Sequence, residues 1–302
     1  MNDMKYAKLA VTTLASVLLL AGCGNNNEKD QTERTTASEE AQTSSLNAYV
    51  AILNQLINGV AGLEQIQNHY LSLNIPKATE KDSLSYPKLN YDYIRDKFAE
   101  ADKAPKNNPA LDSAAADLKQ KIEALSKDYD DFHLYYESGE YKTDHLAKGK
   151  AADAAIREHF QQAVASFKTF QKELTLVYKK EKQAELEQIK ASGDMYLYHN
   201  KAAMSAAENL VSVFGSEQDL NNPEKFKEAD QFADDLQAHL KALDAEQKKI
   251  KEKNPNANTN TILLNLTSCL SYYRKFKESK DQYDFQFMVD GYNQAVQSTN
   301  SP

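Results

Sequence analysis

Residues 111–136 read LDSAAADLKQKIEALSKDYDDFHLYY. Leu111, Ala115, Leu118, Ile122, Leu125, Tyr129, Phe132 and Tyr136 recur every third or fourth position, which aligns them along one stripe of an α-helix. Asn108-Pro109 supplies the start, an N-cap followed by a residue whose fixed φ suits the first helical turn. Leu146, Gly149, Ile156, Phe160, Ala163, Phe167, Phe170, Leu174 and Val177 repeat the pattern. They predict a helix from about Thr143 to Lys190, roughly 70 Å long at 1.5 Å per residue. Ser192-Gly193-Asp194 ends it, with Gly closing one helix and Asp capping the next.

The same periodicity marks the rest. Leu46 to Tyr70 predicts a first helix, interrupted only by Gly59 and Gly62, and Met195 to Phe214 a shorter one. Further helices start at Asn222-Pro223 and run from Thr261 to about Lys277, and a last one carries Tyr283, Phe287, Met288, Tyr292 and Val296. Asn74 to Asn108, with Pro76, Pro87 and Pro105, is an irregular connection with room for a short helix near Asp92 to Glu100. No strand-like alternation is sustained. Polar loops between long amphipathic segments imply antiparallel neighbours within one chain, rather than an oligomeric coiled coil. The expected fold is all-α: an elongated multi-helix antiparallel bundle over residues 46–297, behind a flexible N-terminal tether.

That tether begins with a targeting signal. Lys5 and Lys8 precede an apolar run from Leu9 to Leu20, and Leu20-Ala21-Gly22-Cys23 follows. These four residues resemble a bacterial lipobox, which implies cleavage of a signal peptide over 1–22 and acylation (palmitate) of Cys23. The run is too short to span roughly 30 Å of hydrocarbon. Two acyl chains hold a protein stably where one does so marginally. Residues 23–45 are polar and lack large apolar side chains, so they serve as a disordered linker. The expected location is the cell envelope. The resemblance to sorted lipoproteins implies that an aspartate at position 24 would favour inner-membrane retention; Gly24 stands there, so in a two-membrane bacterium the periplasmic face of the outer membrane is favoured, otherwise the outer face of the cytoplasmic membrane.

Chemistry is sparse. The net charge of −8 argues against nucleic acid as a partner. With Cys23 acylated, Cys269 is left without a disulfide partner, and Ile262, Leu263, Leu266 and Leu270 around it suggest a buried structural thiol. His69, His133, His145, His159, His199 and His239 form neither HExxH nor a Glu-x-x-His motif. Asp130-x-x-His133 and Asp235-x-x-x-His239 place an acid and a histidine on one helix face, a pattern that is usually solvated surface. There is no GxSxG, Walker loop or dinucleotide fingerprint. No enzyme, cofactor or metal ligand set is expected. Seventeen tyrosines without a tryptophan fall mostly on the helical stripes, where they read as core with hydrogen-bonded hydroxyls.

Tyr135-Tyr136-Glu137-Ser138-Gly139-Glu140-Tyr141-Lys142-Thr143-Asp144, followed by Leu146-Ala147-Lys148-Gly149-Lys150, resembles the YiiG family of bacterial lipoproteins. Tyr49 and Asn54 in the first helix and Tyr292-Asn293-Gln294-Ala295-Val296 at the end are similar to that family's termini; Gln297-Ser298 replaces its second Tyr-Asn pair. The resemblance implies an all-helical fold and a lipid anchor, and carries over no catalytic or binding residue. Two expectations meet at this turn. Structurally, Gly139 permits the reversal, Thr143 or Asp144 caps the long helix, and Tyr136 and Tyr141 pack over helix ends. Functionally, Tyr136, Tyr141, Lys142, Asp144 and Lys148 are a candidate interaction patch for an envelope protein partner. The function expected is a non-catalytic interaction or structural role; the alternative is a small-ligand or metal-binding lipoprotein with a cavity between helices.

Overall fold

The computed structural model describes residues 46–57, 61–103, 106–215, 217–255 and 261–300. The expected signal peptide, Cys23 and the expected linker lie outside them. A helical segment over 46–57 (α1) is followed by α2 (Leu63–Ser72), α3 (Tyr91–Ala101), α4 (Pro109–Glu137), α5 (Ala147–Ser192), α6 (Met195–Ser212), α7 (Pro223–Lys253), α8 (Thr261–Ser279) and α9 (Gln282–Asn300). Among the described residues there is no strand.

Local chemistry explains the boundaries. Pro109 and Pro223 occupy the first helical turn of α4 and α7, and the Asn222 side chain accepts from the Glu224 N–H at 3.0 Å. Gly193 sits at φ 79°, a left-handed backbone that ends α5, and Asp194 caps α6 by accepting from the Leu197 N–H at 2.9 Å. Two expectations change. The first predicted helix is divided, because Gly62 takes an extended backbone and serves as the N-cap of α2. The long helix starts at Ala147 rather than Thr143. Glu140–Lys142 form a 3₁₀ turn, and His145 and Leu146 stand at φ 53° and 65°, where a right-handed helix cannot propagate.

The described residues fall into two compact units, divided between Lys179 and Lys180 within α5. In the first, Tyr49 of α1 meets Phe170 of α5 edge-on at 5.7 Å, and Tyr70 of α2 meets Phe160 at 5.4 Å, so this part of the chain runs against α5. α4 does too. Asp117 pairs with Ser166, Asp128 with His159, and Tyr135 with Gly149, so α5 counts down as α4 counts up. Ile52, Leu53, Leu118, Leu125, Phe160, Phe170 and Leu174 are buried in the shared core.

In the second unit, Lys182 pairs with Glu208 and Lys201 with Glu185 at 2.5 Å, which sets the end of α5 antiparallel to α6. Ala203, Ala207, Leu210 and Phe214 of α6 are buried, as are Ala229, Leu236 and Leu243 of α7. Phe226 contacts Phe276 at 5.3 Å, and Phe276 contacts Phe285 at the same distance, linking α7, α8 and α9. The bundle is antiparallel within each unit. Cys269 is fully buried, and burial pushes its thiol up to about 12.

Candidate functional site

The turn from α4 to α5 concentrates aromatic side chains on a polar frame. Periodicity sends Tyr129, Phe132, Tyr135 and Tyr136 to the last turns of α4, and the reversal at Gly139 (φ 75°) folds Tyr141 back onto them. Tyr135 and Tyr136 contact at 4.9 Å, Tyr136 and Tyr141 at 5.9 Å, and Tyr136 and Tyr86 at 6.2 Å. Tyr136 and Tyr141 are buried, each exposed by 3 % or less. Their hydroxyls differ. Tyr141 Oη donates to the Asp82 carbonyl at 2.8 Å and accepts from the Leu84 N–H at 3.4 Å, tying the irregular connection to the turn. The buried hydroxyls of Tyr86 and Tyr136 have no hydrogen-bond partner within the protein.

Asp144 organises the start of α5. Its Oδ2 accepts from the Lys148 N–H at 3.0 Å, and its Oδ1 accepts from the Tyr135 hydroxyl at 2.9 Å. The Lys148 N–H leads in holding this carboxyl below its ordinary range, against burial, with Tyr135 adding to the effect. Tyr135 responds in the opposite sense. Burial, and then the Asp144 charge, push its phenol up to about 12, although the Gly149 N–H donates to it at 3.2 Å. The two lysines lie flat on aromatic rings: Lys142 over Tyr141 at 5.6 Å, and Lys148 over Phe132 and Tyr135 at 5.1 and 5.2 Å. Of the five patch residues, Lys142 and Lys148 are exposed, Asp144 is half-buried, and both tyrosines are interior.

An ion pair and an acid–histidine contact flank the tyrosines. Asp153 Oδ2 accepts from Arg157 Nε at 2.6 Å, and Asp128 lies 2.8 Å from His159 Nδ1. Burial raises the Asp128 carboxyl despite the opposing His159. Burial also raises the phenols of Tyr70, Tyr86, Tyr91 and Tyr136, with neighbouring carboxylates and phenols adding to it. Such phenols stay protonated at neutral pH, which suits packing and hydrogen bonding rather than nucleophilic attack.

The acid–histidine pairs read from single helices are arranged otherwise. His133 Nδ1 donates to the Tyr129 carbonyl at 2.9 Å, and its ring stacks on Tyr129 at 4.7 Å, away from a bond to Asp130. His239 meets His199 instead. Their Nδ1 atoms are 3.1 Å apart across α6 and α7, with Tyr198 edge-on to both rings. Burial lowers both imidazoles from their ordinary value; Glu246 opposes this at His199 and Asp235 at His239. Among the described residues no group of three or more His, Cys, Asp or Glu could hold a metal ion. The signal for the histidine pair is the hairpin itself. Positions 199 and 239 lie equally far on either side of Asp219 in the turn joining α6 to α7.

The described residues are thus all-helical, and the aromatic turn joins α4 to α5. A family model described as "Protein of unknown function (DUF3829)" matches residues 40–299, and the chain belongs to that family. No curated protein and no solved structure matches it.

Proposed function

We propose that this is a YiiG-like lipoprotein, held in the cell envelope by acyl chains on Cys23, whose helical units serve a non-catalytic interaction or structural role. The observation that carries the reading is Leu20-Ala21-Gly22-Cys23, closing an apolar run and followed by a polar stretch to Ser44. No helix among the described residues is long and apolar enough to cross a membrane, so the anchor on Cys23 is the means of attachment proposed. Absence of an enzymatic role is supported by the way reactive-looking groups are used. Tyr70, Tyr86, Tyr91, Tyr135 and Tyr136 are buried with their phenols raised, Asp144 caps α5, and Cys269 is sealed. The outer membrane's periplasmic face is the favoured location, on the strength of Gly24.

Metabolic labelling with a palmitate analogue, followed by fractionation, tests this. Wild-type protein is expected to carry the label and sediment with membranes. Cys23→Ala should lose the label and retain the leader peptide. A Cys23→Ala form that is still labelled would overturn the proposal, as would wild-type protein that is soluble and unlabelled.

A further inference from the structure

His199 and His239 present their Nδ1 atoms to one another at 3.1 Å from two different helices. Two imidazole nitrogens bound at about 2.0–2.1 Å to one ion lie about 2.9 Å apart at a right angle and about 3.4 Å apart at the tetrahedral angle. The observed spacing falls between those limits. Both rings are half-buried, and the edge of Tyr198 holds them 5.0 and 5.8 Å from its own ring, which restricts their rotation. Asp235, one turn before His239, and Glu246, two turns after it, add a negative field at the rings.

We propose that His199 and His239 form a two-histidine site for a first-row divalent cation, zinc being the natural probe, with water completing the coordination. Imidazole donors suit zinc, nickel and copper rather than calcium or magnesium. The helices bring the donors to chelating spacing before any ion arrives, and a turn of the rings out of their mutual hydrogen bond aims both nitrogens at one ion. The site lies in the second unit and is independent of the lipid anchor and of the aromatic turn.

The test is calorimetric titration of the full chain, carrying no histidine tag, with zinc chloride. Saturable equimolar binding is expected, and His199→Gln or His239→Gln should each weaken it at least about tenfold, since even outer-shell losses cost about 10–100-fold. His145→Gln should leave affinity unchanged, because His145 is exposed in the other unit. If either substitution prevents folding, ¹⁵N spectra of the imidazoles in the unsubstituted chain answer the same question. Zinc should then move two of the six histidines and no others. Absence of saturable binding, undiminished affinity in both variants, or a uniform response of all six rings would overturn the proposal and leave the pair as an N–H···N hydrogen bond.

Discussion

Gly149 leaves no room for a Cβ beside Tyr136 in the aromatic turn, and substituting the two tests whether the turn is a packed joint. A Cβ placed on Gly149 would meet the Tyr136 hydroxyl at 2.6 Å and Tyr135 Cε1 at 3.3 Å. The Tyr136 ring has no free direction in which to retreat, since Tyr135 lies 4.9 Å from it and Tyr141 5.9 Å. Gly149→Ala gains about 1 kcal/mol of helix propensity in α5. Overpacking a filled core costs about 1–3 kcal/mol, so the net effect should run from neutral to a loss of about 2 kcal/mol. Tyr136→Phe behaves differently: it keeps the ring and deletes a buried hydroxyl that has no partner. It should be neutral, or stabilising by up to about 1 kcal/mol. With the oxygen gone, the remaining contacts are Tyr136 Cζ at 3.5 Å, an ordinary distance, and Tyr135 Cε1 at 3.3 Å, which must give by a few tenths of an ångström for the propensity gain at position 149 to show. The double variant should therefore exceed Gly149→Ala in stability by at least about 1 kcal/mol. Urea unfolding followed by circular dichroism measures the cycle, and hydrogen exchange in α4 and α5 assigns it to the first unit. A coupling below about 0.5 kcal/mol, or a Tyr136→Phe loss above about 1 kcal/mol, would refute the packing argument.

Tyr141→Phe should cost about 1–2 kcal/mol, because it leaves the Asp82 carbonyl and the Leu84 N–H without the hydroxyl that joins them. Lys142→Ala, which removes an exposed side chain lying over the Tyr141 ring, should fall within about 0.5 kcal/mol of wild type in the same assay. In the second unit, burial works against the Asp230 charge, but hydrogen bonds from Lys277 (2.7 Å) and Tyr273 (2.8 Å) outweigh it and hold the carboxyl below its ordinary value. A depressed carboxyl contributes stability that is present above the unfolded value of about 3.9 and is lost as pH falls through the folded value. Urea midpoints taken from pH 7 downward should drop more steeply below about pH 4 in wild type than in Asp230→Asn, which starts lower at neutral pH; parallel curves would refute the linkage.

Helical content was legible in this sequence because each helix buries one continuous stripe, and a stripe at three- and four-residue spacing survives without knowledge of its partner. Helix ends were legible where a single residue type decides them, as at Gly193-Asp194 and Asn222-Pro223. The start of α5 was not. Thr143 and Asp144 are both good caps, and the choice turned on His145 and Leu146 adopting left-handed backbone so that Leu146 could be fully buried. Nothing in a local window announces that. The division at Lys179 was equally hidden, since α5 runs through it without a break in its helix.

The candidate patch could be read two ways from sequence for a related reason. Tyrosine, lysine and aspartate on a glycine-containing turn are the residue types of a recognition loop, and also those needed to close a helical hairpin around an aromatic core. Hydroxyls must reach backbone carbonyls, a carboxylate must cap the next helix, and lysine stems must cover ring faces. Which use prevails depends on which side of the turn the rings occupy. Tyr141 is drawn inward because its hydroxyl satisfies two backbone groups 57 and 59 residues earlier in the chain, a non-local gain that no spacing rule weighs. The histidine pair shows the converse. His199 and His239 look unremarkable on their own helices, and only the hairpin that sets α6 against α7 brings their nitrogens to 3.1 Å. In an antiparallel bundle, chemistry is therefore better sought among residues equidistant from a turn than among neighbours on one helix face.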